Sequence, residues 1–532
     1  MVAEQQGAEP PAGEVPHGAK EALQSRAARR RQPKITVPAF ARSRWAPLVA
    51  LAAFSALLSL FVWPGHLDAD ALKQIQEALS GWFTDWWSPI FDWLMRGVFK
   101  LGGGPGVVLE GTILVVVVAI YELLRVCLSR WWAVLTTVLI SLFPAVLGYL
   151  TSLQRDVWFG ATALMTYALL VRAARSPLRS RRVWAVLSLV SVWFSMAARQ
   201  NAIPALIPGV VIAFLMISRP QAFEPASAGA HSVSGTGAPP VAGSAVASSA
   251  PDLRLGRAKR RRRWGRPAVI GILTVALFGV FYESQSVLTY HVIGATHVYP
   301  QQELFEQDLA GISLREGVVL LPAAIFPAQN LAVLRKFYSP GTVIPLVEGA
   351  HHPLITYTNA SGYHQLETAW EHAVVHHPVG YFHARWNLWM AEIDWNTNSW
   401  APYHPGIDKN PLHLHEAFPV LDRFVLRYLS SFATAHLRGG VVTRAWIYLL
   451  VAPFLGFSLI RRRRSFPVRL VGFMELGAFV YTMTFALAAM ADTFRWNWFL
   501  VAATMTALVV QAVESYEAAV EKRIRARLAS GD

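Results

Sequence analysis

Residues 131–150 read WWAVLTTVLISLFPAVLGYL and residues 155–173 read RDVWFGATALMTYALLVRA, and only four residues separate these two apolar runs. A helix of about 20 apolar residues spans a bilayer, so the pair predicts a membrane hairpin with a short turn. Arg130 precedes the hairpin, and Arg172 and Arg175 follow it. Because Lys and Arg collect on the cytoplasmic side of membrane helices, the turn should lie on the outer side.

The composition of the whole chain is that of a membrane protein. Of its 532 residues, 54% are hydrophobic and 15% are charged, and the mean hydropathy is +0.35. A soluble protein of this length needs more polar surface. The net charge is +15, and the Lys and Arg residues responsible for it lie beside apolar runs. This placement favours a role in helix orientation and in contact with anionic membrane lipids over nucleic-acid binding. The single cysteine, Cys127, excludes an intrachain disulfide and is interpreted as a packed core thiol.

About ten apolar runs are long enough to form transmembrane helices. Basic segments alternate with segments poor in Lys and Arg between these runs, and both termini are basic. This pattern predicts an even number of spans with both termini in the cytoplasm, and an all-α polytopic membrane protein as the fold class. The runs are 45–63, 106–124, 131–150, 155–173, 183–199, 202–218, 267–290, 441–460, 467–490 and 494–513.

The chain is expected to divide into membrane segments and extramembrane segments. The segments at 1–44 and 219–266 are rich in small, polar and basic residues, which predicts a disordered cytoplasmic tail and a disordered basic linker. The expected division is helices 1–6 over 45–218, helix 7 over 267–290, an outer domain over 291–440, helices 8–10 over 441–513 and a cytoplasmic tail over 514–532.

Two outer segments differ in character from the other loops. The first outer loop, 64–105, is rich in Trp, Phe and Asp, and Leu72, Ile75 and Leu79 follow helical spacing, which predicts interfacial helices. The segment 291–440 holds 13 of the 16 histidines, counted from His291 to His436, and has helical periodicity broken by Pro and Gly. It predicts a small, mostly helical outer domain rich in His and Trp.

Charged and polar residues recur at the outer ends of the predicted helices. Such groups are costly at the membrane margin unless they are paired or hydrated, so four of them on one side predict a functional or water-filled cavity. The alternative is a set of solvated charges or local ion pairs, such as Arg155 with Asp156. The four groups are Asp68 with Asp70, Asp156, Arg199 with Asn201, and Asp492 with Arg495.

Several of these motifs resemble the GT-C superfamily of membrane glycosyltransferases, which includes protein O-mannosyltransferases and lipid A aminoarabinose transferases. The resemblance covers residues 45–218 well and the last helices loosely. Many relatives carry a His before the Pro of the first outer loop, where this chain has Ser88. Any role of that His in the relatives is therefore not assigned to this chain. The motifs are Pro64-Gly65, Asp68-Ala-Asp70, Asp70-x-x-x-Gln74, Trp87-Ser88-Pro89, Asp156 and Arg199-Gln-Asn201.

The resemblance implies an enzyme of the bacterial plasma membrane that acts on the outer face. It would move a sugar from a polyprenyl-phosphate donor to a lipid, glycan or protein acceptor of the cell envelope. Such a transfer needs a base for the acceptor proton and positive charge on the departing phosphate. Asp70, or else Asp68, is the expected base, and Asp156 would orient the acceptor or recognise the sugar.

The remaining expected contacts are with the donor. Arg199 and Arg495 would neutralise the lipid phosphate, because Arg binds phosphate through two parallel hydrogen bonds. Gln74 and Asn201 complete the substrate-binding motifs. Trp87 belongs to the Trp-rich segment 82–93, which would hold the polyprenyl chain and the sugar at the membrane interface.

Alternatives remain open for metal binding and for the overall function. His372 and His376 have a chelating spacing, but hydrogen-bonded or solvated histidines are the expected reading, so a divalent metal stays an alternative. A transporter or flippase would use intramembrane acids such as Glu110, Glu283 and Glu475, although no internal repeat accompanies them. A membrane scaffold would leave the acids scattered. Convergence of Asp70, Asp156 and Arg199 would favour the enzyme.

Overall fold

The computed structural model describes residues 43, 45–218, 253–349, 351–357, 359–395, 403–433, 440–461 and 464–530. Over these residues it is built from helices and loops, with isolated β-bridges and no β-strand, so the all-α fold class is confirmed for this part of the chain. The predicted tail over 1–44, apart from residue 43, and the linker residues 219–252 lie outside the described residues.

Nine α-helices lie within the described stretch 45–218. Each of the first six predicted runs coincides with one helix or with a broken pair. The helices are α1 Ala46–Phe61, α2 Ala69–Ser80, α3 Pro89–Lys100, α4 Pro105–Leu124, α5 Arg130–Ser141, α6 Pro144–Leu150, α7 Arg155–Ala174, α8 Leu178–Ala198 and α9 Ile203–Ser218.

The second half of the described chain contains a further set of helices. The helix α10 begins at Leu253, inside the predicted linker, because its Leu, Arg, Lys and Ala residues are good helix formers. The set is α10 Leu253–Ser286 with a π-helical end Val287–Val292, α11 Gln302–Glu316, α12 Leu331–Phe337, α13 Ile344–Val347, α14 Ala360–His376, α15 Pro378–Glu392, α16 Pro419–Ala433, α17 Ala445–Ile460, α18 Phe466–Ala488 and α19 Trp498–Ser530.

Length and composition support fewer spans than the ten predicted. Among the described residues, five helices are long and apolar enough to cross a membrane, and a sixth span results if α5 and α6 are one broken span. The apolar helices α1, α9 and α17 are shorter, at 16 residues each. The five are Pro105–Leu124, Arg155–Ala174, Ala268–Val292, Phe466–Ala488 and Phe494–Ala529.

The first arm of the predicted hairpin is bent rather than straight. The helices α5 and α6 meet at an angle of 76°. Pro144 begins α6, and proline both lacks a backbone N–H and disfavours helical geometry in the residue before it. The bend carries the chain sideways before the short turn 151–154, which sets the position of the outer end of α7.

The helix α7 lies at the centre of the membrane part and packs against α4, α8, α18 and α19. Small residues permit this close packing, as is usual in membrane helix bundles. A Cβ atom on Gly160 would lie 2.6 Å from the ring of Trp498, and one on Gly477 would lie 2.4 Å from the carbonyl oxygen of Ala205. The first residues of α7 are therefore held firmly beside the start of α19.

The first outer loop folds into the helical pair α2 and α3. Leu72 and Ile75 are buried against Phe91 and Met95 as their spacing predicts, whereas Leu79 is exposed. The stretch before α2 is extended: His66 receives and donates backbone hydrogen bonds with residues of the turn 151–154, and Leu67 does the same with the segment 406–408. This double pairing fixes the direction in which α2 starts.

The described part of 291–440 has a hydrophobic core of its own. Its buried residues come chiefly from α11, α13, α14 and the loops between them, and include Leu309, Phe326 and Leu366. It is tied to the first outer loop through Asp85, which accepts hydrogen bonds from the Tyr290 hydroxyl at 2.9 Å and the Val298 amide at 2.7 Å. The segment 290–298 thus brings α11 over the first outer loop.

Candidate functional site

Asp68 and Asp70 stand at the amino-terminal end of α2. Asp68 is the residue that caps the helix, and its Oδ1 accepts a hydrogen bond from the Ala71 amide at 2.8 Å. Asp70 lies in the first turn. Carboxylates are favoured at this position because they satisfy free N–H groups and face the positive end of the helix dipole. The local sequence therefore accounts for the position of both acids at the start of α2. Oδ2 of Asp68 remains available for another partner.

That partner is Arg495, in the short 3₁₀ segment Phe494–Asn497 before α19. Its Nη1 donates to Asp68 Oδ2 at 2.8 Å and to Gln154 Oε1 at 3.1 Å, and its Nη2 donates to Asp70 Oδ2. Its Nε lies 3.3 Å from Asp156 Oδ2. One guanidinium thus joins three aspartates from separate parts of the chain.

Asp156, in the first turn of α7, is shared between two arginines. Its Oδ1 accepts from Nε of Arg199 and its Oδ2 faces Arg495. The guanidinium of Arg199 also lies 5.3 Å from the ring centre of Trp496. Arg199 is placed by the end of α8, where the backbone becomes extended. We call Asp68, Asp70, Asp156, Arg199 and Arg495 the aspartate–arginine cluster.

The three aspartates differ in their access to solvent. The side chain of Asp70 is 29% exposed, that of Asp68 is 20% exposed and that of Asp156 is 2% exposed. Burial raises the pKa of Asp68 above its usual value; Arg495 opposes that rise, and the negative charge of Asp70 adds to it. Asp70 is therefore the acid best placed to meet a substrate.

The other predicted substrate-binding residues lie at varying positions around the cluster. Gln74 is buried one turn below Asp70, where its Nε2 donates to the backbone oxygen of Asp70 at 3.2 Å; within the described chain its Oε1 has no hydrogen-bond partner. Asn201 is half-buried in the 3₁₀ turn between α8 and α9. Trp87 is half-buried beneath Arg155, whose guanidinium carbon is 5.3 Å from the ring centre.

Ser88 has a structural role at the position where many relatives carry a histidine. Its hydroxyl donates to the backbone oxygen of Ala197 at 2.6 Å and accepts from the Phe91 amide at 3.3 Å. The first contact joins the first outer loop to the end of α8, and the second caps α3. Ser88 thus helps to hold α3 against the segment that carries Arg199.

Asp492 is separated from the residue with which the sequence grouped it. Its amide donates to the Gly341 oxygen at 2.6 Å, and its carboxylate faces the outer segment rather than the cluster. Burial raises the pKa of Asp492 to about 7, and Asp394 adds to the rise. Asp492 therefore lies apart from the cluster to which Arg495 belongs, since the chain turns between residues 492 and 495.

Sequence reasoning missed three features near the cluster. Gln154 precedes α7 and binds Arg495. His66 is buried between Asp422 of α16, at 2.8 Å, and the Thr151 hydroxyl, at 3.3 Å. Glu303, in the first turn of α11, lies in the electrostatic field of Asp70; burial raises its pKa to about 8, with Glu348 and then Asp70 adding to the rise. Only the first had a sequence signal, a polar side chain next to Arg155-Asp156.

The described histidines do not assemble into a metal-binding group. His372 and His376 stack with ring centres 3.9 Å apart, and Nδ1 of His376 lies 2.9 Å from the backbone oxygen of His372. Over the residues that the structure describes, no three His, Cys, Asp or Glu side chains are arranged to hold a metal ion. The aspartates of the cluster bind arginines instead.

The intramembrane acids that would suit a transporter do not gather. Glu283 is exposed on α10 and Glu110 is half-buried on α4. Glu475 is buried on α18, where it accepts from the Thr504 hydroxyl at 2.6 Å. Two recesses of about 490 Å³ and 350 Å³ also lie elsewhere, one against α14 and one between α9 and α10. The charged groups that do converge are those of the aspartate–arginine cluster, at helix ends.

Comparison with known proteins gives one family match and one structural match. Residues 87–233 match the family described as dolichyl-phosphate-mannose-protein mannosyltransferase. This match confirms the resemblance to GT-C membrane glycosyltransferases over that stretch, which contains Arg155, Asp156 and Arg199 but begins after Asp70. No curated protein matches the chain. An oligosaccharyltransferase from Archaeoglobus fulgidus aligns with 88% of this chain at 13% identity and a TM-score of 0.35. The alignment covers 49% of that protein's length.

Proposed function

We propose that this protein is an integral membrane glycosyltransferase that moves a sugar from a polyprenyl-phosphate donor to an acceptor of the cell envelope on the outer face of the membrane. The observation that carries the proposal is the aspartate–arginine cluster, in which Arg495 joins Asp68, Asp70 and Asp156. The family match over residues 87–233 supports the class of reaction. A bacterial plasma membrane with both termini in the cytoplasm remains the proposed setting.

Asp70 is the proposed general base. One of its oxygens is held by Arg495, and the side chain is the most exposed of the three acids. Asp68 is less suitable, because one of its oxygens caps α2 and the other binds Arg495. Asp70 would take the proton of the acceptor hydroxyl as its oxygen attacks the anomeric carbon.

Asp156 is proposed to act by position rather than by proton transfer. Its side chain is 2% exposed and both oxygens face arginines. Removing it would leave Arg199 and Arg495 without a common anchor, so it orients the groups that meet the acceptor and the sugar. Gln74 has a buried Oε1 that lacks a partner in the described chain. Its Nε2 would hold the backbone of Asp70 in place through their hydrogen bond.

The chain's own arginines would supply the positive charge that the leaving phosphate requires. The proposal therefore gives no required role to a divalent metal, and transfer should continue at a normal rate in the presence of EDTA. Loss of transfer on chelation, with recovery on adding Mg²⁺ or Mn²⁺, would contradict this part of the proposal.

The proposed function is tested by mass spectrometry of envelope glycans and lipids from cells with and without the gene. We expect one sugar to be missing from one class of envelope molecule when the gene is absent. The wild-type gene should restore the sugar and a gene carrying Asp70→Asn should not. A gene carrying Glu367→Gln, an acid on α14 of the outer segment bonded to His364 at 3.0 Å, should restore it. Identical envelopes with and without the gene would overturn the proposal.

A further inference from the structure

Arg155 is the first residue of α7 and stands beside the cluster without forming an ion pair. Its Nη1 donates to the backbone oxygen of Trp86 at 3.1 Å, and its guanidinium lies over the ring of Trp87. Across the described part of the chain, no carboxylate oxygen lies within 4.0 Å of Arg155. Its neighbour Asp156 points elsewhere, because successive residues of a helix do not face each other.

The other two arginines at this site are already committed to acids. Arg495 contacts Asp68, Asp70 and Asp156, and Arg199 contacts Asp156. To reach a phosphate with the same N–H groups, either arginine would have to leave a half-buried or buried carboxylate, which is strongly unfavourable. The expected role of Arg199 and Arg495 in phosphate binding therefore conflicts with their contacts.

Contact with the ring of Trp87 leaves other N–H groups of the Arg155 guanidinium without a hydrogen-bond partner among the described residues. An arginine that uses its flat face against an aromatic ring keeps its in-plane N–H groups for bidentate contact with an anion. The contact with Trp86 uses Nη1 alone. The ring and the carbonyl together fix the orientation of the side chain, which lowers the entropy lost when an anion binds.

The surroundings suit a lipid-linked anion. Trp82 and Trp93 are exposed on the same loop, at 61% and 43%, and Trp side chains favour the membrane–water boundary. Arg155 contacts Trp86 and Trp87 of this loop, and the charge of Asp70 acts on it. A phosphate bound there would have its prenyl chain among the rings and its sugar towards Asp70.

We propose that Arg155, fixed by Trp86 and Trp87, binds the phosphate of the polyprenyl donor, and that Arg199 and Arg495 instead position the aspartates. This inference rests on the proposed function. In the transfer, the bond between the anomeric carbon and the phosphate oxygen breaks with its electron pair going to that oxygen. Arg155 then compensates the charge of the released polyprenyl phosphate. The acceptor oxygen forms the new bond to the anomeric carbon, and its proton goes to Asp70.

The test measures binding of farnesyl phosphate, a short polyprenyl phosphate, to the purified full-length protein in phosphatidylcholine vesicles. Farnesol serves as the ligand without phosphate. The variants are Arg155→Gln, Arg155→Lys and the control Arg172→Gln. Arg172 lies on the same helix at its other end, stacks on Trp184 at 4.6 Å and pairs with Glu122. Near-ultraviolet circular dichroism confirms folding of each variant.

We expect the wild type and Arg172→Gln to bind farnesyl phosphate about tenfold to a hundredfold more tightly than farnesol, the effect of one charge-assisted hydrogen-bonding group. Arg155→Gln should lose that preference while its affinity for farnesol is unchanged, and Arg155→Lys should keep part of it. Inorganic phosphate and vesicles containing phosphatidylglycerol should compete weakly.

Three results would contradict the inference, and they can be told apart. Tight binding of farnesyl phosphate by a folded Arg155→Gln protein would overturn the role of Arg155 and leave the proposed function standing. Equal competition by inorganic phosphate or by phosphatidylglycerol would show a general anion site or a lipid-surface contact. A wild-type protein that binds farnesyl phosphate and farnesol equally would count against the proposed donor itself, and the inference would fall with it.

Discussion

Two groups of acids flank the short segment around Phe494–Asn497, and they are stabilised in different ways. On one side, Arg495 reaches Asp68, Asp70 and Asp156, so each acid has an arginine as its partner. On the other side, Glu392 of α15 accepts from the Thr493 amide at 2.9 Å and from Asn497 Nδ2 at 2.8 Å. The second group has neutral donors where the first has cations.

The difference affects which form of each acid is stabilised. Burial raises the pKa of Glu392 well above its usual value, its neutral partners offset only part of that rise, and Asp492 adds to it. The neutral form of Glu392 is thus favoured, and its hydrogen bonds to Thr493 and Asn497 fasten α15 to the start of α19. The acids around Arg495 are instead paired with a cation and include Asp70, whose side chain is 29% exposed.

Removal of Arg495 should have the largest effect on stability. Arg495→Ala leaves three carboxylates without their common partner, which should lower the free energy of unfolding by about 3 kcal/mol, because an uncompensated buried charge is costly. Denaturant unfolding in detergent measures the change. Arg464→Ala is the matched control: it breaks one ion pair, with Glu514 at 2.8 Å, and should cost about 1 kcal/mol or less. Equal effects of the two substitutions would contradict the central place of Arg495.

Glu392 should tolerate replacement by a neutral amide but not loss of its hydrogen bonds. Glu392→Gln keeps the side-chain oxygen that accepts from Thr493 or Asn497, so its stability should be close to that of the wild type. Glu392→Ala leaves those donors without a partner and should cost about 1–3 kcal/mol. The same unfolding experiment compares the two variants. A Gln variant as unstable as the Ala variant would show that the charged carboxylate is needed.

Asp492 should give an effect on stability that is visible as a dependence on pH. Its pKa is about 7 in the folded protein and lower when unfolded, so the folded protein binds more protons between about pH 4 and pH 7. Its contribution to stability is therefore fully present below pH 4 and is lost as the pH rises through 7. Apparent unfolding temperatures from pH 5 to pH 8.5 should fall less in Asp492→Asn than in the wild type. Parallel curves would contradict the raised pKa.

Much of the fold followed from local patterns in the chain. Apolar runs located a helix or a helix pair at every predicted span, and the basic segments predicted Asp70, Asp156 and Arg495 on one side of the membrane. Their convergence was predictable because each one lies at a helix end on that side. The exact partners could not be predicted. The distribution of Lys and Arg indicates the side of the membrane on which a helix end lies, but not which helix ends are adjacent.

The remaining features depend on contacts distant in sequence. The pair of His66 with Asp422 joins residues 356 positions apart, and no periodicity links them. Asp492 and Arg495 are three residues apart, but the extended backbone at Thr493 sends them to different partners. Arg155 and Asp156 are adjacent, yet helical geometry turns them away from each other. In each case tertiary packing, rather than spacing, selected the partner.

Turnover of purified protein in liposomes tests the central claim most directly. The measurement follows transfer of one sugar from a polyprenyl-phosphate donor to envelope acceptors by the wild type and Asp70→Asn. The account predicts a loss of about a thousandfold in Asp70→Asn, the scale of a missing general base, with unchanged folding. Wild-type turnover in Asp70→Asn would remove Asp70 from the mechanism. If Asp68→Asn and Asp156→Asn also kept full turnover, the cluster would not be the site of sugar transfer.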